Sequence, residues 1–193
     1  MVDLFNYTRR TSSVAHVGEL DLGGNNPIRI QSMTTTNTND TEACVRQAEE
    51  IIKAGGELVR FTTQGSREAE NMKNINAGIR ADGFTTPLVA DIHFNPNVAD
   101  VAALYCEKVR INPGNYVDPA RKFIKQEYTD EEYAHELQKI EDRFVPFLNI
   151  CKENHTAIRI GVNHGSLSDR IRNRYGDTPE GIVESCLEFL RIC

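Results

Sequence analysis

The chain has 193 residues, of which 39% are hydrophobic and 26% charged, an ordinary globular composition with enough material for one domain. Its 22 Lys and Arg residues and 28 Asp and Glu residues give a formal net charge of −6, which argues against nucleic acid or an anionic membrane as the partner. No apolar run reaches membrane-spanning length and no signal peptide is visible, so we expect a cytoplasmic protein.

The cysteines give no support for a metal site. They are odd in number and show no C-x-x-C spacing, which favours buried thiols in a reducing compartment. The five are Cys44, Cys106, Cys151, Cys186 and Cys193.

The chain begins with a predicted tail and β-hairpin over residues 1–27, where apolar residues alternate around Gly18 and precede Gly23-Gly24. We expect this hairpin to cover the bottom of a barrel. Five strand-like segments follow, with helical patterns between them. They are Ile28–Met33, Leu58–Thr62, Pro87–Ile92, Lys108–Ile111 and Ala157–Val162.

Several helix boundaries are also readable. Asn39 is the expected N-cap of a helix over about 40–54, and Thr129 opens a capping box with Glu132. A further helix is predicted over Asp118–Lys125. Pro146 is expected to kink the helix that follows Thr129, or to restart it.

Alternating strands and helices predict an α/β fold with a parallel sheet. A doubly wound five-stranded sheet and the first five units of a (β/α)8 TIM barrel both fit the pattern. We favour the barrel, because its interior face can gather side chains from inside several strands, whereas a doubly wound sheet offers ligands only the crevice at the strand ends.

Three of the strand-like segments contain a central arginine between apolar residues: Arg60, Arg110 and Arg159. Each arginine should point to the face opposite its apolar neighbours, and each segment then breaks into a polar loop. Several guanidinium groups at one end of a sheet suit a polyanion such as a diphosphate.

Four motifs, in the same order, resemble those of the N-terminal barrel of the bacterial 4-hydroxy-3-methylbut-2-enyl diphosphate synthase family. They are Gln31-Ser32-Met33-Thr34, Val89-Ala90-Asp91-Ile92-His93-Phe94, Arg110-Ile111-Asn112-Pro113-Gly114-Asn115 and Ile158-Arg159-Ile160-Gly161-Val162-Asn163-His164-Gly165-Ser166-Leu167. The resemblance implies a TIM-type barrel that binds 2-C-methyl-D-erythritol 2,4-cyclodiphosphate in the methylerythritol phosphate route to isoprenoids. The implied reaction is a two-electron reductive ring opening, with electrons from ferredoxin or flavodoxin through a 4Fe–4S cluster.

The resemblance also implies a domain organisation. Residues 28–193 are expected to form part of the barrel, and the family's separate iron–sulfur domain, with its cluster ligands, is expected to be absent from this chain, leaving it without reductase activity. The connection over residues 116–154 resembles the variant of the family with an extra inserted domain. Because the first and fifth strands would leave open sheet edges, we expect a homo-oligomer.

The resemblance assigns the site residues. Arg60, Arg110 and Arg159 match the diphosphate-binding positions, and Asp91 matches an aspartate that contacts substrate and assists proton handling. Alternatively, the arginines form structural salt bridges and Asp91 is a structural partner or a helix N-cap.

Three further residues are candidate substrate contacts. His93 is expected to donate to the diphosphate, although a lone histidine is usually structural. Asn163 shares the strand face of Arg159, and Gly161 between them is expected either to leave space for the ligand or to ease packing inside the barrel. Asn112 shares the face of Arg110.

Two other readings fit the sequence. One is a different phosphate-binding barrel that resembles the pterin-binding synthases and needs no iron. The other is a non-catalytic five-stranded binding module, which predicts a closed monomer without affinity for diphosphates.

Overall fold

The computed structural model describes residues 10–118 and 127–193, and within them it has seven strands and six α-helices. The strands are β1 (Val14–Val17), β2 (Leu20–Gly23), β3 (Gln31–Met33), β4 (Leu58–Thr63), β5 (Leu88–Ile92), β6 (Lys108–Ile111) and β7 (Ala157–Ile160). The helices are α1 (Thr41–Lys53), α2 (Ser66–Ala81), α3 (Pro96–Ala103), α4 (Asp130–Glu153), α5 (Asp169–Tyr175) and α6 (Pro179–Leu190). Short 3-10 turns follow β6 and β7, over Pro113–Asn115 and His164–Ser166.

The main sheet is parallel, and its strand order is the order of the chain, β3-β4-β5-β6-β7. A doubly wound sheet reverses its strand order at a switch point, and this sheet does not. The sequential order confirms the prediction of barrel-type βα units and rejects the doubly wound alternative.

The outer face of the sheet carries the hydrophobic core. Val59 and Phe61 of β4, with Val109 and Ile111 of β6, are fully buried in one cluster with apolar side chains of the helices. Burial of each such side chain contributes about 1.5–3 kcal/mol. Because strand side chains alternate, this leaves the opposite, inner face free for polar groups.

The hairpin formed by β1 and β2 lies against the inner face at its lower end. Val17 is buried and packs with Leu58 and Val89 in a small second core. Arg29 links the hairpin to the sheet, since it donates to the carbonyl of Asp21 in β2 and forms a 2.8 Å ion pair with Glu57, which precedes β4. The predicted hairpin and its position beneath the sheet are both confirmed.

The two edge strands are shorter than predicted. β3 begins at Gln31 because the backbone N–H of Ile30 donates to the Glu57 carboxylate instead of joining a ladder. β7 ends at Ile160, since the chain then turns at Asn163, whose side chain accepts from the N–H of Gly165.

The predicted N-cap of α1 was wrong, and α4 does not restart at Pro146. The N-cap of α1 is Asp40, whose carboxylate accepts from the Ala43 N–H, while the Asn39 amide donates to Asn37 and Glu68. Pro146 neither ends nor restarts α4, which runs unbroken through 24 residues.

The capping box of Thr129 and Glu132 is present as predicted. The helix predicted over 118–125 falls outside the described residues, apart from its first residue. No helix in the described part of the chain combines the length and hydropathy needed to cross a bilayer.

Candidate anion-binding site

Side chains of four adjacent strands line the inner face in two rows. The upper row contains Thr62, Asp91, Arg110 and Arg159, which the strand register places side by side. The lower row contains Arg60, Val89, Lys108 and Ala157. Together the two rows place four cations and one carboxylate on the inner face of β4 to β7, a local excess of positive charge in a protein whose net charge is −6.

Asp91 is the centre of this arrangement. Its carboxylate is fully buried and accepts from Arg60 through one oxygen and from Arg110, at 3.1 Å, through the other. A buried carboxylate needs such compensation, because removing it from water without a partner is costly. Asp91 thus holds two guanidinium groups at fixed positions within the sheet.

Arg110 is also fixed by the neighbouring strand. Its Nη2 donates to the carbonyl of Gly161, and its stem crosses the space above that glycine. Burial lowers the pKa of the Arg110 guanidinium, an effect that the Asp91 carboxylate opposes. The prediction that Gly161 leaves space for a ligand was therefore wrong, since Arg110 already occupies that space.

Three buried N–H donors or ring nitrogens near Asp91 have no partner among the described residues: Arg60 Nε, Arg110 Nε and His93 Nδ1. An unsatisfied buried polar group costs about 1–3 kcal/mol, so such groups are rare and call for an explanation. His93 Nε2 lies 3.6 Å from the Asp91 carboxylate, which places the ring beside the two arginines. Unpartnered nitrogens on three side chains that all contact Asp91 suit an acceptor-rich ligand such as a phosphate group.

Arg159 differs from the other two arginines. Its side chain is exposed, and its guanidinium has no hydrogen bond or ion pair within the described ranges. It lies beside Arg110 in the upper row, on the edge strand β7. A guanidinium that lies next to other cations and has no carboxylate partner of its own is well suited to contact an anion.

The loops that follow β6 and β7 pack against each other and are joined by a hydrogen bond. Asn112 is buried and its side-chain amide donates to the Ser166 hydroxyl at 2.8 Å. A Cβ at Gly114 would stand 1.7 Å from the Ser166 carbonyl oxygen, so the two loops pack backbone to backbone. Asn163 is exposed and accepts from Gly165. Asn112 is therefore engaged in loop packing, whereas Asn163 is an exposed residue of the neighbouring loop.

A buried charge network next to these loops was not predicted from the sequence. Arg170 of α5 is bidentate to both Asp118 and Glu188, with four contacts between 2.7 and 3.1 Å. Tyr133 of α4 donates to Glu188 and lies under the Arg170 guanidinium, 4.9 Å from its ring centroid. The network joins α4, α5, α6 and the segment after β6, and so holds the upper loops against the helices.

Lys108 was not among the site residues predicted from the sequence. It lies two residues before Arg110 on the same face, and this spacing is the signal that identifies it.

The described residues do not suit a metal cluster. No group of three or more His, Cys, Asp or Glu side chains among them is arranged to hold a metal ion. Burial raises the pKa of the Cys44, Cys106 and Cys151 thiols, whereas cluster ligation requires thiolates.

Comparison with known proteins gives a consistent result. A family profile described as the GcpE TIM-barrel domain matches residues 11–193. The chain is 76% identical over 192 residues to a protein of Phocaeicola vulgatus named 4-hydroxy-3-methylbut-2-en-1-yl diphosphate synthase (flavodoxin), and 75% identical to a protein of the same name from Bacteroides thetaiotaomicron. A protein of that name from Akkermansia muciniphila is 53% identical over 97% of the chain. The chain spans 31% of the length of the first two relatives and 32% of the third.

Proposed function

The chain belongs to the GcpE TIM-barrel family, and on that premise we propose that its inner face binds the diphosphate of 2-C-methyl-D-erythritol 2,4-cyclodiphosphate. The whole protein would convert this substrate to 4-hydroxy-3-methylbut-2-enyl diphosphate, the product that gives the relatives their name. The observation that carries the proposal is the group of Arg60, Arg110 and Arg159 around the single carboxylate of Asp91.

The chemistry of the group supports a diphosphate. Two guanidinium Nε–H groups have no acceptor among the described side chains and backbone, and phosphate oxygens are strong acceptors that guanidinium groups bind in bidentate geometry. In the proposal Arg159 and the free Nε–H groups bind the diphosphate. His93 donates to a phosphate oxygen, and Asn163 and Asn112 border the ligand.

Asp91 has two roles in the proposal. It orients Arg60 and Arg110, and in the whole protein it lies next to the substrate as the residue that accepts a hydrogen bond from a hydroxyl group or transfers a proton. The first role follows from its two ion pairs. The second is carried over from the family resemblance at that position.

The electron supply is proposed for the whole protein. The names of the relatives include flavodoxin, which favours flavodoxin over ferredoxin as the donor. The resemblance assigns a 4Fe–4S cluster to a separate domain, and the side chains described here do not form a site for it. Turnover is proposed only for a polypeptide of the relatives' length.

A cytoplasmic location and a barrel domain over residues 28–193 are part of the same proposal. All five cysteines are free thiols, which fits a reducing compartment.

Substitution of Arg159 by methionine tests the proposed site. Because this guanidinium has no partner in the described chain, Arg159→Met should weaken cyclodiphosphate binding at least about tenfold, the loss of one charge-assisted contact, with thermal stability unchanged. Arg172→Met is the matched control, since Arg172 pairs with Asp177 away from the inner face. Equal calorimetric affinity in both variants would refute the proposed site.

The same calorimetry, repeated with inorganic phosphate, separates the other readings. A pterin-type phosphate-binding barrel predicts binding of simple phosphates without preference for the cyclodiphosphate. A non-catalytic module predicts no affinity for either ligand.

We also propose that the chain self-associates. The edge strands β3 and β7 have no outer neighbour among the described strands, and Ile28 and Ile30 beside β3 are 81% and 61% exposed. Open edges and exposed apolar side chains favour pairing between chains. Light scattering should show a dimer that Ile28→Lys weakens, whereas a monomer at high concentration would refute the proposal.

A further inference from the structure

Lys108 is a cation of the inner face for which the described structure offers no counter-charge. It lies in the lower row, between Val89 of β5 and Ala157 of β7. Both neighbours belong to the apolar cluster that packs on the hairpin. The Cβ end of the Lys108 side chain therefore lies in an apolar layer. The flexible four-carbon chain allows the ammonium to reach polar surroundings.

The groups around that ammonium are cationic. Arg60 occupies the same row two strands away, and Arg159 lies one strand over and one row up. Burial lowers the pKa of Lys108, and the guanidinium groups of Arg159 and Arg60 lower it further. The one carboxylate of the two rows, Asp91, is already paired with Arg60 and Arg110.

A half-buried ammonium among guanidinium groups is unfavourable unless an anion joins them. We infer that Lys108 is a fourth cation of the anion site and binds a phosphate oxygen of the ligand from the lower row. The inference rests on the proposed function and deepens it, since it requires the ligand to reach down between the strands as well as to contact the loops above them.

Inorganic pyrophosphate is the probe, titrated calorimetrically into the whole chain and its variants. Lys108→Met should weaken binding about tenfold, the loss of one charge-assisted contact, while Lys108→Arg should keep most of the affinity. Lys73→Met, at an exposed position on α2, is the matched control and should bind like the unsubstituted chain. Removing an ammonium without a counter-charge should leave the thermal midpoint of Lys108→Met unchanged or raised, so lost affinity would not reflect unfolding.

A second measurement follows Lys108 in the unsubstituted chain. Amine acetylation read by mass spectrometry should label Lys108 in the free protein and be suppressed there by pyrophosphate, with Lys73 labelled equally in both cases. Unchanged affinity in Lys108→Met, or equal labelling of Lys108 with and without pyrophosphate, would overturn the inference. If Arg110→Met still weakened binding, the proposed function would stand. Absence of pyrophosphate binding in the unsubstituted chain would overturn both.

Discussion

The stem of Arg110 occupies the space above Gly161, where an added Cβ would stand 2.1 Å from the Arg110 Nε. No real side chain fits at that distance, so Gly161→Ala must displace the arginine from Asp91 and from the Gly161 carbonyl. We expect Gly161→Ala to weaken pyrophosphate binding about tenfold, measured by calorimetry, because one charge-assisted contact is lost.

A double-mutant cycle tests this explanation. In an Arg110→Met background the arginine is already gone, so Gly161→Ala should add little further loss of affinity. Additive losses from the two substitutions would show that Gly161 acts independently of Arg110.

Asp91→Asn should destabilise the fold, because Arg60 and Arg110 would then face each other without a carboxylate. Removal of one partner from a buried ion pair costs about 3–5 kcal/mol. Inorganic phosphate should restore part of that loss by binding the freed guanidinium groups, so it should raise the thermal midpoint more in Asp91→Asn than in the unsubstituted chain. Asp142→Asn, at an exposed position on α4, is the control. Equal phosphate-induced shifts in all three proteins would contradict the role of Asp91 as the counter-charge.

Arg170→Met should be strongly destabilising, since it leaves the buried carboxylates of Asp118 and Glu188 without a cation. We expect a loss of about 3–5 kcal/mol in the free energy of unfolding, measured by urea denaturation. Lys139→Met breaks the exposed pair with Glu136 and should leave stability nearly unchanged. Similar midpoints for both variants would mean that the Arg170 network does not stabilise the loops above β6 and β7.

The stability of the chain should fall in alkali. Burial raises the pKa of the Cys151 thiol to about 12 from its ordinary value of 9.0, and Asp100 adds a smaller effect. The unfolded thiol ionises near pH 9 while the folded one stays protonated, so this contribution is complete below pH 9 and is lost as the pH rises toward 12.

Cys151→Ala should flatten the fall of the unfolding free energy with pH by up to about 1.4 kcal/mol per pH unit. Urea midpoints measured from neutral pH into that alkaline window provide the comparison. An unchanged slope in Cys151→Ala would contradict the assignment. Cys44 and Cys106, whose pKa values are also raised, should maintain part of the slope.

The sequence was sufficient to predict the elements that local pattern determines. The capping box at Thr129 was predictable because a cap involves neighbouring residues. The position of each arginine on the face opposite Val59, Val109 or Ile158 followed from strand alternation. The ends of β3 and β7 were not predictable from local pattern. Glu57, distant in sequence, binds the backbone N–H before β3, and the Asn163 side chain forms a turn after β7.

The contacts inside the site depend on register between strands, which the sequence does not provide. The placement of Arg110 over Gly161 joins residues 51 positions apart, and the pairing of Arg60 with Asp91 joins residues 31 apart. The network of Arg170 required α5 and α6 to be packed on α4 before its partners met. Lys108 alone was within reach of sequence reasoning, through its spacing from Arg110.

A crystal structure of the chain with 2-C-methyl-D-erythritol 2,4-cyclodiphosphate tests the proposed site most directly. Diphosphate oxygens should lie about 2.7–2.9 Å from guanidinium nitrogens of Arg60, Arg110 and Arg159, with the Asp91 pairs retained. Ligand density only at positions away from the inner face would refute the proposed site.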